Sequence, residues 1–162
     1  MSRKAIKLII VDDHAIIREG LVMLLNHEPD LQIVGLANNG REAIDLVGRK
    51  TADVILLDIV MEDVNGLEAA RQILSIRPEI KIVMLTMYED KAFFHNALQA
   101  GASGYFLKGS NSNELINTIR NVHKGGTYLD PKMAGGLVEE YLQTQAEPPD
   151  TPNPDSADEA GQ

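Results

Sequence analysis

Short apolar runs recur along this chain, and a segment with helical periodicity follows each one. The strand candidates are Ile6–Val11, Leu31–Ala37, Val54–Leu57, Ile80–Thr86 and Gly104–Leu107. The helix candidates are His14–His27, Gly40–Val47, Asn65–Ile76, Asp90–Ala100 and Ser112–Lys124. In the first helix Ile17, Leu21, Leu24 and Leu25 form one apolar stripe, as Leu115, Ile119 and Val122 do in the last. Asn65-Gly66, Arg77-Pro78, Gly101-Ala102-Ser103-Gly104 and Gly125-Gly126 punctuate the pattern. Unbroken apolar runs of this length read as strands buried on both faces of a parallel sheet. Strands that alternate with helices imply right-handed crossovers, with helices on both faces.

In an open sheet of this kind the ligand site lies beyond the carboxyl ends of the strands. Asp13, Asp58, Thr86 and Lys108 each fall at or just past such an end. The topology therefore gathers carboxylates, a hydroxyl and an ammonium at one rim.

The bulk properties restrict the alternatives. The chain has 162 residues, enough for one domain and an appendage, and 44% of them are hydrophobic, enough for a core. It has no cysteine, which excludes disulfides and thiolate chemistry. The basic start, Arg3-Lys4, reads as a solvated terminus, and Asp12-Asp13 interrupts the apolar stretch too early for a signal peptide. No run approaches the roughly 20 apolar residues of a membrane span. The expectation is a soluble, cytoplasmic protein with no membrane partner.

Net charge is −9. The segment from Thr144 onward holds Glu147, Asp150, Asp155, Asp158 and Glu159 without a Lys or Arg, which leaves −4 on the body. A body of that charge is poorly suited to wrap a nucleic-acid backbone by itself. The globular domain is expected over residues 1–128. A helical extension is expected over 129–143, weakened by Gly135-Gly136. Residues 144–162 hold four of the seven prolines and no large apolar side chain, the composition of a disordered acidic linker.

The rim residues suit one chemistry. Magnesium keeps several waters and takes one or two protein carboxylates. Asp12 and Asp13 close the first strand and Asp58 closes the third, and in a 2-1-3-4-5 order those strands are neighbours. Three crowded carboxylates repel one another and so favour a cation. Asp13 is also expected to cap the helix that begins near His14. Asp58 can act as a nucleophile on phosphorus, giving an aspartyl phosphate. Thr86 can donate to one phosphoryl oxygen and Lys108 can face another. Taken singly, Thr86 is a β-branched strand residue and Lys108 a solvated strand-end lysine; their joint spacing favours the functional reading.

The motifs resemble those of a known family. They are Asp12-Asp13 after Leu-Ile-Ile-Val, Leu-Leu-Asp58-Ile-Val-Met with Gly66 following, Leu-Thr86, and Gly-Tyr105-Phe-Leu-Lys108. Over about residues 5 to 128 the sequence resembles the receiver domains of two-component response regulators. Leu-Thr-Met-Tyr, Gly-Ala-Ser-Gly-Tyr-Phe-Leu-Lys-Gly and Val-His-Lys-Gly-Gly-Thr-Tyr-Leu resemble the NarL/FixJ (LuxR-type) branch. The resemblance implies a flavodoxin-like, doubly wound five-stranded parallel sheet of order 2-1-3-4-5. It implies phosphorylation of Asp58 by a sensor histidine kinase. Mg2+ would be bound by Asp13, Asp58 and the backbone carbonyl of Val60, with Asp12 assisting through water. It implies a switch in which Thr86 moves toward the phosphate and Tyr105 turns inward, changing the surface of the fourth helix, fifth strand and fifth helix. Tyr105 alone would read as a half-buried strand aromatic. The implied partners are the kinase, a second copy after phosphorylation, and DNA only through a helix-turn-helix domain absent from these residues.

Some positions depart from the family pattern. Glu62 and Gly109 stand where many receivers have proline, and Met87 stands where a small residue is common. Val60 and Tyr88 lie two residues beyond Asp58 and Thr86, where this family tunes hydrolysis. An apolar and a bulky side chain there predict a long-lived phosphoaspartate. His14 and His95 read as solvated helix residues, because no second ligand stands at helical spacing. Phe93 and Phe94 read as split between core and surface.

Three other readings compete with it. An aspartyl-nucleophile phosphohydrolase typically carries Asp-x-Asp on one strand, but here the acids are adjacent. A flavin or nucleotide binder needs a glycine-rich loop after the first strand, where this chain has Asp-Asp-His. A receiver used only as a constitutive interaction module has no need of the full set of site residues, whereas a stand-alone receiver that acts by protein-protein interaction stays open as an alternative.

Overall fold

The computed structural model describes residues 5–61, 65–87, 91–108 and 110–129. Elements alternate as expected: β1 (Ile6–Val11), α1 (Ala15–Asn26), β2 (Leu31–Ala37), α2 (Gly40–Arg49), β3 (Val54–Asp58), α3 (Gly66–Ile76), β4 (Lys81–Thr86), α4 (Lys91–Gln99), β5 (Gly104–Leu107) and α5 (Ser112–His123). The strands form one parallel sheet in the order β2-β1-β3-β4-β5, and a two-residue strand, β6 (Tyr128–Leu129), continues it beyond β5. β6 was not expected. Two residues carry no periodicity, and Gly125-Gly126 reads only as punctuation before a domain end at Tyr128. The glycines instead turn the chain: Gly125 takes a φ of 96°, and the Gly126 N–H closes the helix end on the Asn121 carbonyl. All these elements fall in one compact unit, Met1–Asp130. The expected extension beyond Leu129 and the acidic linker lie outside the described residues.

The central strands are apolar on both faces because both faces are covered. Leu8, Ile10, Leu56, Val83, Leu85 and Phe106 form one core cluster with Leu25 of α1 and Leu115, Ile119 and Val122 of α5. Half-buried Leu21 and Leu24 pack against it. Successive strand residues point to opposite faces. Ile9, Ile55, Leu57, Ile82, Met84 and Tyr105 therefore face the other layer, and all are buried. Phe94 of α4 meets Tyr105 edge-on, with ring centroids 5.2 Å apart, on that side.

Local signals set the helix starts. Asn39 accepts a hydrogen bond from the Glu42 N–H at the start of α2, and Asn65 accepts from the Glu68 N–H at the start of α3. Register then sets the rim. Val11 lies opposite Leu57, Asp58 opposite Leu85 and Thr86 opposite Leu107. The strands thus end nearly level, and the residues just past them share one edge.

Candidate functional site

Asp12, Asp58 and Lys108 continue the alternation of Ile10, Leu56 and Phe106, so they project to the same side of the sheet. The ladder runs on past the strand ends to fix them. The Ile59 N–H donates to the Leu85 carbonyl at 3.0 Å, and the Lys108 N–H donates to the Thr86 carbonyl at 2.7 Å. Lys108 Nζ donates to Asp12 Oδ2 at 2.8 Å and lies 3.4 Å from Asp58 Oδ1. Its side chain is only 9% exposed, which excludes the solvated strand-end reading. One buried ammonium thus bridges acids from two strands.

Asp58 is buried, and its Oδ1 accepts the Val60 N–H at 3.3 Å. Burial pushes its carboxyl pKa above the usual value; the Lys108 charge opposes that shift and the Asp12 charge adds to it. Gly66 permits this loop. A Cβ there would stand 2.5 Å from the Asp58 carbonyl oxygen and 2.6 Å from Ile59 Cα. Only a residue without a side chain lets α3 start against the backbone beneath Asp58.

The turn after β1 differs from expectation. Asp13 does not cap α1: the N-cap is His14, with no side-chain capping bond. The Asp12 side chain organises the turn instead, its Oδ1 accepting the His14 N–H at 2.9 Å. Asp13 Oδ1 is shielded from solvent and receives no hydrogen bond. The His14 ring Nδ1 lies 3.0 Å away. The same ring nitrogen lies 3.2 Å from Asp12 Oδ1. Asp12, Asp13, His14 and Asp58 each offer a ligand atom, all within 4.8 Å of one another. A buried oxygen with no donor, set among further carboxylates, fits a hard divalent cation.

Sequence reasoning placed His14 on a solvated helix face. Its ring is exposed, but it also joins this cluster. Its partners lie one and two residues upstream across a strand-to-helix turn, where helical spacing could not find them. Arg18 was also missed: its guanidinium donates to the Asp12 carbonyl at 2.6 Å. A cation in the first turn of a helix opposes the helix dipole, and that conflict was the available signal.

Thr86 ends β4, is buried, and shares the face of Met84 and Tyr105, which pair across β4 and β5. Tyr105 is fully rather than half buried. The Val60 and Met87 side chains are 50% and 65% exposed. Phe94 is buried, His95 is exposed beside Gln99, and nothing is described of the Phe93 side chain. Glu62, Tyr88 and Gly109 lie outside the described residues.

Comparison with known proteins decides the family. Residues 8–120 match the response regulator receiver domain family. This chain is a response regulator receiver domain. It is 37% identical over 141 residues to the transcriptional regulatory protein DegU of Brevibacillus brevis, covering 87% of this chain and 60% of that one. It is 38% identical over 148 residues to the oxygen regulatory protein NreC of Staphylococcus carnosus, covering 91% of this chain and 68% of that one. It superposes with a TM-score of 0.82 on a LuxR-family two-component response regulator from Aurantimonas sp. SI85-9A1. That match has 32% identity and covers 86% of this chain and 99% of that one. The receiver is thus of the NarL/FixJ (LuxR-type) branch, and not a stand-alone enzyme. The chain spans about three fifths of the length of the DegU relative. Among the described residues no helix is long and apolar enough to cross a membrane.

Proposed function

We propose that this receiver accepts a phosphoryl group on Asp58 from a sensor histidine kinase. The carrying observation is Lys108 Nζ reaching both Asp12 and Asp58 at the rim of the sheet. An Asp58 oxygen attacks phosphorus, the bond from phosphorus to the donor imidazole nitrogen breaks, and its electron pair leaves with the imidazole. Lys108 holds a positive charge beside the phosphoryl oxygens, and the Thr86 hydroxyl donates to another. Asp13, Asp58 and the Val60 carbonyl would hold Mg2+, with Asp12 acting through water. The ion supplies charge neutralisation for the incoming phosphoryl group.

The switch follows from the shared face of Thr86 and Tyr105. Movement of Thr86 toward the phosphate opens space beside Met84, and Tyr105 shifts against Phe94 of α4. One new charged group thereby biases a two-state packing arrangement. The changed face would support homodimerisation and control a helix-turn-helix output domain in a longer, cytoplasmic transcription regulator. Domain limits of 1–128, 129–143 and 144–162 belong to the same reading.

Incubation with Mg2+ and acetyl phosphate should add one phosphoryl mass to the peptide that contains Asp58, and Asp58→Asn should abolish it. Addition at another residue sinks the assignment. Gel filtration before and after reads the dimer. Phosphate release should be slow because of Val60 and Tyr88; loss within seconds without a phosphatase contradicts that expectation.

A further inference from the structure

We propose that His14 is a metal ligand of this site and tunes it toward late first-row divalent ions over Mg2+. The inference rests on the cation-binding reading above and goes beyond it, because the proposed Mg2+ set contains oxygen donors alone.

The geometry is that of a coordination sphere. An octahedral ion with bonds near 2.1 Å places adjacent ligand atoms about 3 Å apart. His14 Nδ1 lies 3.0 Å from Asp13 Oδ1 and 3.2 Å from Asp12 Oδ1. The ligand atoms of all four residues fall within 4.8 Å of one another, wider than the about 4.2 Å across such a sphere, so the side chains must draw in slightly around an ion. The oxygens are also divided in a way that leaves this corner to a cation. Lys108 donates to Asp12 Oδ2 and the His14 backbone N–H donates to Asp12 Oδ1, so Asp13 Oδ1 is the cluster oxygen left for an ion. Asp13 Oδ1 is buried and receives no hydrogen bond.

The imidazole can serve. With its proton on Nε2, Nδ1 presents a lone pair toward the cluster. The ring is 65% exposed, so Nε2–H has water to donate to and the ring has room to adjust. Carboxylates and water suit Mg2+, whereas imidazole adds affinity for later transition ions. An imidazole nitrogen beside the Asp13 and Asp58 carboxylates therefore shifts preference without removing the oxygen set.

The test uses the untagged 162-residue chain, titrated with Mg2+ and with Co2+ by calorimetry, beside His14→Ala. Wild type should bind Co2+ more tightly than Mg2+. His14→Ala should weaken Co2+ by about tenfold and Mg2+ by less than about twofold. In the Co2+-loaded wild type, proton NMR should show a hyperfine-shifted imidazole resonance that the variant lacks. Equal losses for both ions, or no such resonance, overturn the proposal while leaving the Mg2+ reading intact. If neither ion binds the wild type, both readings fall together.

Discussion

Asp58 works against the fold that holds it. Burial raises its pKa, and the neighbouring Asp12 charge raises it further against the pull of Lys108. The folded state therefore holds that proton more tightly than the unfolded chain, whose reference value is 3.8. Stability from this group is fully present below pH 3.8 and is lost as pH rises through the higher folded value. At neutral pH the ionised carboxylate is a net cost, as expected where a reactive group is kept in place. Asp58→Asn should therefore raise the urea midpoint near neutral pH. The gain should shrink as the pH is lowered toward the ordinary carboxylate range. An unchanged or lower midpoint near neutral pH shows that the Lys108 pairing outweighs burial. The sequence placed Asp58 at a strand end and supplied Lys108. It could not show that Lys108 spans from β5 to Asp12, because that contact joins residues far apart along the chain.

The elements carry the site through their ends. Gly66 was legible as punctuation between β3 and α3, but the reason for a glycine was not. It lies in the backbone of Asp58 and Ile59, which a Cβ would strike. Gly66→Ala should destabilise the domain by about 1–3 kcal/mol, as other overpacked sites do. It should also slow acetyl phosphate labelling, because the displaced backbone is that of the acceptor. Wild-type stability and labelling in the variant would mean the loop has slack. Asn39→Ala offers a contrast at the start of α2. It removes the bond to the Glu42 N–H and should cost about 1 kcal/mol in chemical denaturation while labelling stays normal. The principal strands were readable because burial on both faces leaves unbroken apolar runs, as in β3. β6 was not, since it exists only by pairing Gly104 with Tyr128 and Tyr105 with Leu129. Asn39, Asn65 and Asn111 mark helix starts in the sequence; α1 has no such marker, and its start is organised by Asp12 from behind.

At the scale of the molecule, the receiver is a sheet whose strand ends converge on an acidic rim, and that convergence couples ion binding to folding. In the unfolded chain Asp12 and Asp58 are separated by the whole of α1, β2 and α2. The cation site therefore exists only in the folded state, and a ligand of the folded state stabilises it by mass action. Mg2+ at about a hundred times its dissociation constant should add about 2.7 kcal/mol, and chelation should reverse the gain. The ion also relieves repulsion among the acids, so its effect should exceed that of monovalent salt at equal ionic strength. Asp13→Asn separates site binding from general screening. It removes the carboxylate whose buried oxygen receives no hydrogen bond, and it should lose most of the Mg2+-dependent shift while keeping the response to salt. Thermal unfolding with Mg2+, with matched salt and with chelator, for both proteins, distinguishes the cases. A shift of equal size in Asp13→Asn would place the stabilising ions elsewhere on the surface and leave this rim without a metal.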